Sequence, residues 1–230
     1  MSNPGLLETL RTRLKIALSP ARADESARSA LNGDDAVAVS VAKNIELRPD
    51  KGTPTAGIIL YPGGRCEAAS YAPLMHAFAR RGYLCIIADM PIDMAVFSPD
   101  RAADIIKTHP EIQRWYMMGH SLGGAMAARF AMRNSEKISG LFLLGSYPPE
   151  SVNLSACKFP VTLLYGSEDT FATPEKILNA KDRTPPHAQF IGIEGGDHYQ
   201  FGSFKDAIHT ASISREAQQQ QVISQISQAL

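Results

Sequence analysis

The chain has 230 residues, 44% of them apolar and 20% charged, which suits one globular α/β domain with a full core. Lys plus Arg and Asp plus Glu both number 23, so the formal net charge is zero and no global field recruits nucleic acid or an anionic membrane. The three cysteines, Cys66, Cys85 and Cys157, match no zinc or redox spacing, which points to free thiols in a reducing, cytoplasmic compartment and to no bound metal.

Near the N-terminus Leu7, Leu10, Leu14 and Leu18 recur at helical spacing, so residues 5–18 read as an amphipathic helix. Arg11, Arg13 and Lys15 break the apolar run, so this stretch reads as neither signal peptide nor membrane span. Residues 20–35 are small and polar and read as a loop. Residues 1–35 are therefore expected to pack, as helix and loop, on a catalytic domain of residues 36–230. AVAVSVAKNIELRP then alternates like antiparallel strands, while AGIILYP is an unbroken apolar run, as in a strand buried on both faces. Tyr71, Leu74, Met75 and Phe78 mark a helix, and YLCIIADM marks a fourth strand. A short helix near 99–107, the strand WYMMGHS and the helix LGGAMAARFAMRN follow. GLFLLGSYPP and VTLLYGSED are two more strands, then come a helix near 174–181, the last strand AQFIGIEGG, and a final helix carrying Val222, Ile223, Ile226 and Leu230 on one side. The alternation predicts a mostly parallel central sheet with helices on both faces. Between the sixth and seventh strands, ESVNLSACKFP is too short for a helical cap, so no cap domain is expected.

Gly119-His120-Ser121-Leu122-Gly123 fits G-x-S-x-G. The pentapeptide alone is weak evidence, but here a buried strand enters it and a small-residue helix leaves it, the setting of a nucleophile elbow. Ser121 needs a base to become a nucleophile at neutral pH. Of six histidines, His198 follows the last strand in IEGGDHYQFG, and the order Ser, acid, His places it correctly; His120 should point elsewhere, because adjacent side chains diverge. The acid should leave the penultimate strand, which favours Asp169 over Glu168 and Glu150, while Asp197 reads as a turn cap. An oxyanion hole needs backbone N–H groups. Leu122 should supply one, and the turn Tyr61-Pro62-Gly63-Gly64-Arg65 the other, with Gly64 favoured over Gly63 and Arg65. Met90, Met94 and Phe97, after the fourth strand, are candidate pocket residues. Tyr147, after the sixth, is another, and Arg65 would add a positive charge beside the oxyanion turn.

YPGGRCEAASYAPL, GHSLGGAMAARFA, LLGSYPP, YGSED and GGDHYQFG together resemble the α/β-hydrolase superfamily, in particular a group of small hydrolases related to dienelactone hydrolase. The resemblance implies Ser121, Asp169 and His198 as a triad with no cofactor. The expected activity is cleavage of short-acyl, small-molecule esters. A thioesterase or acyltransferase on the same triad, and a non-catalytic binding module, are the alternatives.

Overall fold

The computed structural model describes residues 20–230; the helix expected over residues 5–18 lies outside them. The strands are β1 (Val37–Val41), β2 (Ile45–Pro49), β3 (Ala56–Tyr61), β4 (Leu84–Ile87), β5 (Arg114–His120), β6 (Ile138–Leu144), β7 (Val161–Gly166) and β8 (Gln189–Ile193). They form one eight-stranded sheet in the order β1-β2-β4-β3-β5-β6-β7-β8. β1 pairs antiparallel with β2, and β2 antiparallel with β4; every pairing from β4 through β3 to β8 is parallel. Because β4 lies on one side of β3 and β5 on the other, the winding reverses there, and a crevice opens at the C-terminal strand ends.

The described helices are α1 (Glu25–Ala30), α2 (Ala72–Ala79), α3 (Arg101–Thr108), α4 (Ser121–Arg133), α5 (Pro174–Leu178) and α6 (Arg215–Ala229). They cover both faces. One core joins Ile58 and Leu60 of β3 to Leu74 and Phe78 of α2 and to Val222 and Ile226 of α6. The other joins Ile59 and Tyr61 to Ile105 of α3, Phe130 of α4 and Ile177 of α5. Successive β3 side chains enter opposite cores, which is why AGIILY shows no polar alternation. Each fully buried Leu, Ile or Phe stabilises the fold by about 1.5–3 kcal/mol.

Residues 20–35 differ from the expected loop, because they contain α1. Asp24 caps it by accepting from the Ala27 amide at 2.9 Å and pairs with Arg215 of α6. Ala27 is fully buried, Arg28 meets Glu67 at 2.7 Å, and Ala21 and Ala23 form bridges to Cys66 and Phe204. A six-residue helix is too short to print a periodicity, and tertiary contacts rather than propensity hold it. Between β6 and β7 residues 145–160 form neither helix nor strand, so no cap is inserted there. No described helix is long and apolar enough to cross a membrane.

Candidate active site

Ser121 lies where β5 turns directly into α4, with φ of 51°, in the left-handed region. The turn closes tightly enough that a Cβ on Gly123 would stand 2.1 Å from the Pro62 carbonyl oxygen, so position 123 must be glycine. Ser146, two residues past β6, donates from Oγ to the Ser121 carbonyl at 2.7 Å and ties the elbow to the neighbouring strand. The strained residue is thereby held with its hydroxyl at the sheet edge.

His198 Nε2 lies 3.0 Å from Ser121 Oγ, and its Nδ1 lies 2.7 Å from Asp169 Oδ2. Since the carboxylate accepts, Nδ1 carries the proton and Nε2 is free to receive the serine proton. The second oxygen, Asp169 Oδ1, accepts from the amides of Phe171 and Ala172, both at 2.8 Å. Asp169 is 3% exposed and His198 6%, so this hydrogen-bonded chain works largely out of water. Glu168, the nearest rival acid, instead accepts from Ser212 Oγ at 2.8 Å, and Glu150 is exposed. Asp197 caps a turn as expected: it accepts from the amides of Gln200 and Thr210 and meets His209 Nδ1 at 3.1 Å. Burial alone would raise the Asp197 pKa, but His209 and those amides outweigh it and hold the carboxyl below its usual value.

A cleft of about 310 Å³ opens over Ser121 and His198. Leu122, Ala125, Tyr147, Pro149, Phe171 and Ala172 line it, so its walls are mainly apolar. Phe171 is 50% exposed, and its ring centroid lies 5.1 Å from that of His198. Sequence reasoning missed Phe171 and Ser146; an aromatic two residues beyond the acid, on the same loop, was the available signal. Arg65, Met94 and Phe97 do not line this cleft. They border a second one of about 460 Å³, with Pro20, Ile92 and Asp93. Met90, read from sequence as a pocket residue, is 4% exposed and belongs to the core that holds Ile86 and Ala88. The two-residue period of β4 runs past the strand's end and turns Met90 inward.

The turn after β3 commits most of its amides to acceptors within the protein. Gly63 N–H donates to Tyr71 Oη at 3.0 Å, Arg65 N–H to the Asp93 carbonyl at 2.7 Å, and Cys66 N–H to the Gly63 carbonyl at 3.1 Å. Gly64 sits against Leu122, since a Cβ on Gly64 would stand 2.9 Å from Leu122 Cδ2.

Such a Ser–His–Asp chain, set on a parallel sheet with an elbow after its fifth strand, defines a serine hydrolase of the α/β type. The model of the "Alpha/beta hydrolase family" matches residues 57–220, and the chain belongs to that family. Solved structures of the same fold include a predicted CIB-like hydrolase from Thermoplasma acidophilum, at 12% identity and a TM-score of 0.64, covering 84% of this chain and 99% of that one. Esterase 2 from Thermogutta terrifontis, phosphonylated by sarin, aligns at 15% identity and a TM-score of 0.62, over 86% of this chain and 94% of its own. Carboxylesterase CesB from Bacillus subtilis aligns at 12% identity and a TM-score of 0.62, over 90% and 96%. No curated protein matches the chain.

Proposed function

We propose that this chain is a serine esterase that cleaves small, short-acyl carboxylic esters through an acyl-enzyme. The 3.0 Å contact between Ser121 Oγ and His198 Nε2, backed by Asp169, carries the reading. Ser121 Oγ attacks the acyl carbonyl carbon, and its proton passes to His198 Nε2. The tetrahedral oxygen takes N–H donors from Leu122, in the first turn of α4, and from Gly64. The involvement of Gly63 and Arg65 amides in other hydrogen bonds supports Gly64 as that donor. His198 then gives its proton to the leaving alkoxide, and a water deprotonated by the same nitrogen releases the acid. Asp169 stabilises the imidazolium between these steps.

In this reading Tyr147 and Phe171 wall the cleft that receives substrate, and Arg65, Met94 and Phe97 border the approach to the oxyanion turn. Esterase 2 and CesB, both named as esterases, support the ester reading, and the motifs quoted above favour the small group related to dienelactone hydrolase. We place the catalytic domain at residues 36–230, with residues 20–35 packing on it, and the enzyme in the cytoplasm, where its three free thiols stay reduced. The test is labelling by a fluorophosphonate, lost in Ser121→Ala, beside turnover of p-nitrophenyl esters and acyl-CoA. Ester turnover well above thioester turnover fits the proposal; the reverse order makes the chain a thioesterase. Neither labelling nor turnover leaves a binding module.

A further inference from the structure

His120 stands next to the nucleophile in sequence, yet its ring does not enter the cleft. It is fully buried, as is Tyr71. The His120 Nε2 lies 3.0 Å from the His198 carbonyl oxygen, and its Nδ1 lies 2.8 Å from Tyr71 Oη. The carbonyl can only accept, so Nε2 must carry the ring proton, which leaves Nδ1 as an acceptor for the Tyr71 hydroxyl. The Tyr71 oxygen in turn accepts from the Gly63 amide at 3.0 Å. The donors therefore run in one direction, from Gly63 through Tyr71 and His120 to the backbone of His198. Burial and the nearby His198 hold the His120 pKa well below the usual 6.5, so the ring stays neutral and keeps this polarity.

We infer that Tyr71 and His120 form a buried hydrogen-bonded strut that sets the spacing between the oxyanion turn and the catalytic base, making both positioning residues. The inference rests on the esterase reading above. The three parts that must meet the reacting carbonyl come from far apart in the chain: the turn after β3, the elbow after β5 and the loop after β8. No disulfide ties them to one another. Tyr71 and His120 are 49 residues apart, and His120 and His198 are 78 apart. The strut passes through the residue beside Ser121, so one chain of hydrogen bonds references the oxyanion donor and the base to the nucleophile. By engaging the Gly63 amide it fixes the Pro62–Gly63 peptide, one unit before the peptide that carries the Gly64 N–H. By engaging the His198 carbonyl it fixes the backbone from which the imidazole reaches Ser121. Catalysis is sensitive to such placement, because donors help only where the oxyanion forms.

Three substitutions separate the two arms. Tyr71→Phe removes the hydroxyl and breaks the arm to Gly63. His120→Gln places an amide N–H near the Nε2 position, keeping the contact to His198 while losing the Tyr71 arm. His120→Asn places an amide oxygen near Nδ1, keeping the Tyr71 arm while releasing His198. In folded protein, Tyr71→Phe and His120→Gln should each lower kcat about 10- to 100-fold, somewhat less than the ~10²–10³-fold loss of an oxyanion donor itself. KM should change less than about threefold, because ground-state binding is untouched. The double variant Tyr71→Phe/His120→Gln should be no worse than either single one, since both break the same arm. His120→Asn should also lower kcat, and adding Tyr71→Phe to it should lower kcat further. A kcat within about threefold of wild type in Tyr71→Phe, or independent multiplication in the Tyr71→Phe/His120→Gln pair, overturns the strut. Should Tyr71→Phe fail to fold, His120→Gln alone decides by the same kcat and KM criteria. Ring ¹⁵N spectra give a readout apart from turnover: His120 should be the neutral Nε2–H form throughout pH 5.5–8. A titrating or Nδ1–H ring refutes the strut, whereas a wild-type chain with no turnover and no labelling refutes the esterase reading instead.

Discussion

A Cβ placed on Gly145 would stand 3.1 Å from His198 Nδ1 and 3.2 Å from Asp169 Oδ2, so the bare backbone at the end of β6 forms the floor beneath the acid–base pair. Gly145 also has φ of 48°, which disfavours any side chain there. Gly145→Ala should therefore displace the imidazole and destabilise the fold together. The expected cost is about 1–2 kcal/mol from the left-handed backbone, with kcat falling further than that change in stability accounts for. Full activity in Gly145→Ala would mean that the pair has room it does not have in this structure.

The strain at Ser121 predicts an unusual stability ranking. Its φ of 51° costs an L-residue about 1–2 kcal/mol, and glycine almost nothing. Ser121→Ala and Ser121→Gly should both be inactive, but Ser121→Gly should melt roughly 2–4 °C higher than Ser121→Ala for each kcal/mol released. Equal melting temperatures would show that the elbow stores no strain.

Asp169 and Glu168 are adjacent, yet only Asp169 meets His198. Asp169→Asn would favour the wrong histidine tautomer, a change that costs about 10⁴-fold in kcat in comparable triads. Glu168→Gln should stay within about tenfold of wild type, because it alters only a hydrogen bond with Ser212 on a loop outside the triad. Rates of the two purified, folded variants decide the matter, and the opposite ranking moves the acid to Glu168.

Stability should fall in mild acid. His120 has a folded-state pKa well below its usual 6.5, chiefly because it is buried and secondly because of His198. The unfolded chain therefore binds a proton there first, so stability is complete above about pH 6.5 and declines as pH falls below it, by up to about 1.4 kcal/mol per pH unit. His76, whose pKa is also lowered by burial, adds a smaller effect of the same sign. Asp24 and Asp197, both held below 3.8 despite burial, add their own losses only in stronger acid. Urea unfolding between pH 5 and 8 should show the slope in wild type and a shallower one in His120→Gln. Identical slopes would remove His120 as its source.

The cleft predicts a short-acyl preference, since no insertion between β6 and β7 caps it among the described residues. With about 310 Å³ over Ser121, the first few acyl carbons should be covered and the rest should stay in water. Each buried methylene is worth about 0.8 kcal/mol, so kcat/KM should rise over the shortest p-nitrophenyl esters and then level off. A rise continuing past about eight carbons would reveal a long apolar groove.

The residues that act locally were legible as a string. Gly119 to Gly123 describe a turn whose neighbours in space are its neighbours in sequence, so strand, elbow and helix could be read without coordinates. Apolar runs without alternation, such as AGIILY, announced strands covered on both faces, and the order of Ser121, Asp169 and His198 selected the triad from several acids and histidines. What the string left open depends on distant groups meeting. Phe171 beside His198, Ser146 under Ser121, and the Tyr71–His120 link are contacts between separate elements, and no periodicity encodes them. Met90 was misplaced because a strand's alternation outlasted its hydrogen bonds, and α1 was missed because its contacts, Ala27 in the core and the pairs with Glu67 and Arg215, reach residues elsewhere in the chain. Sequence by itself thus determined the class of fold and the three reacting groups, since those follow from local pattern and chain order. Only the tertiary structure decided what surrounds and aims them, because packing brings together residues that the chain keeps far apart.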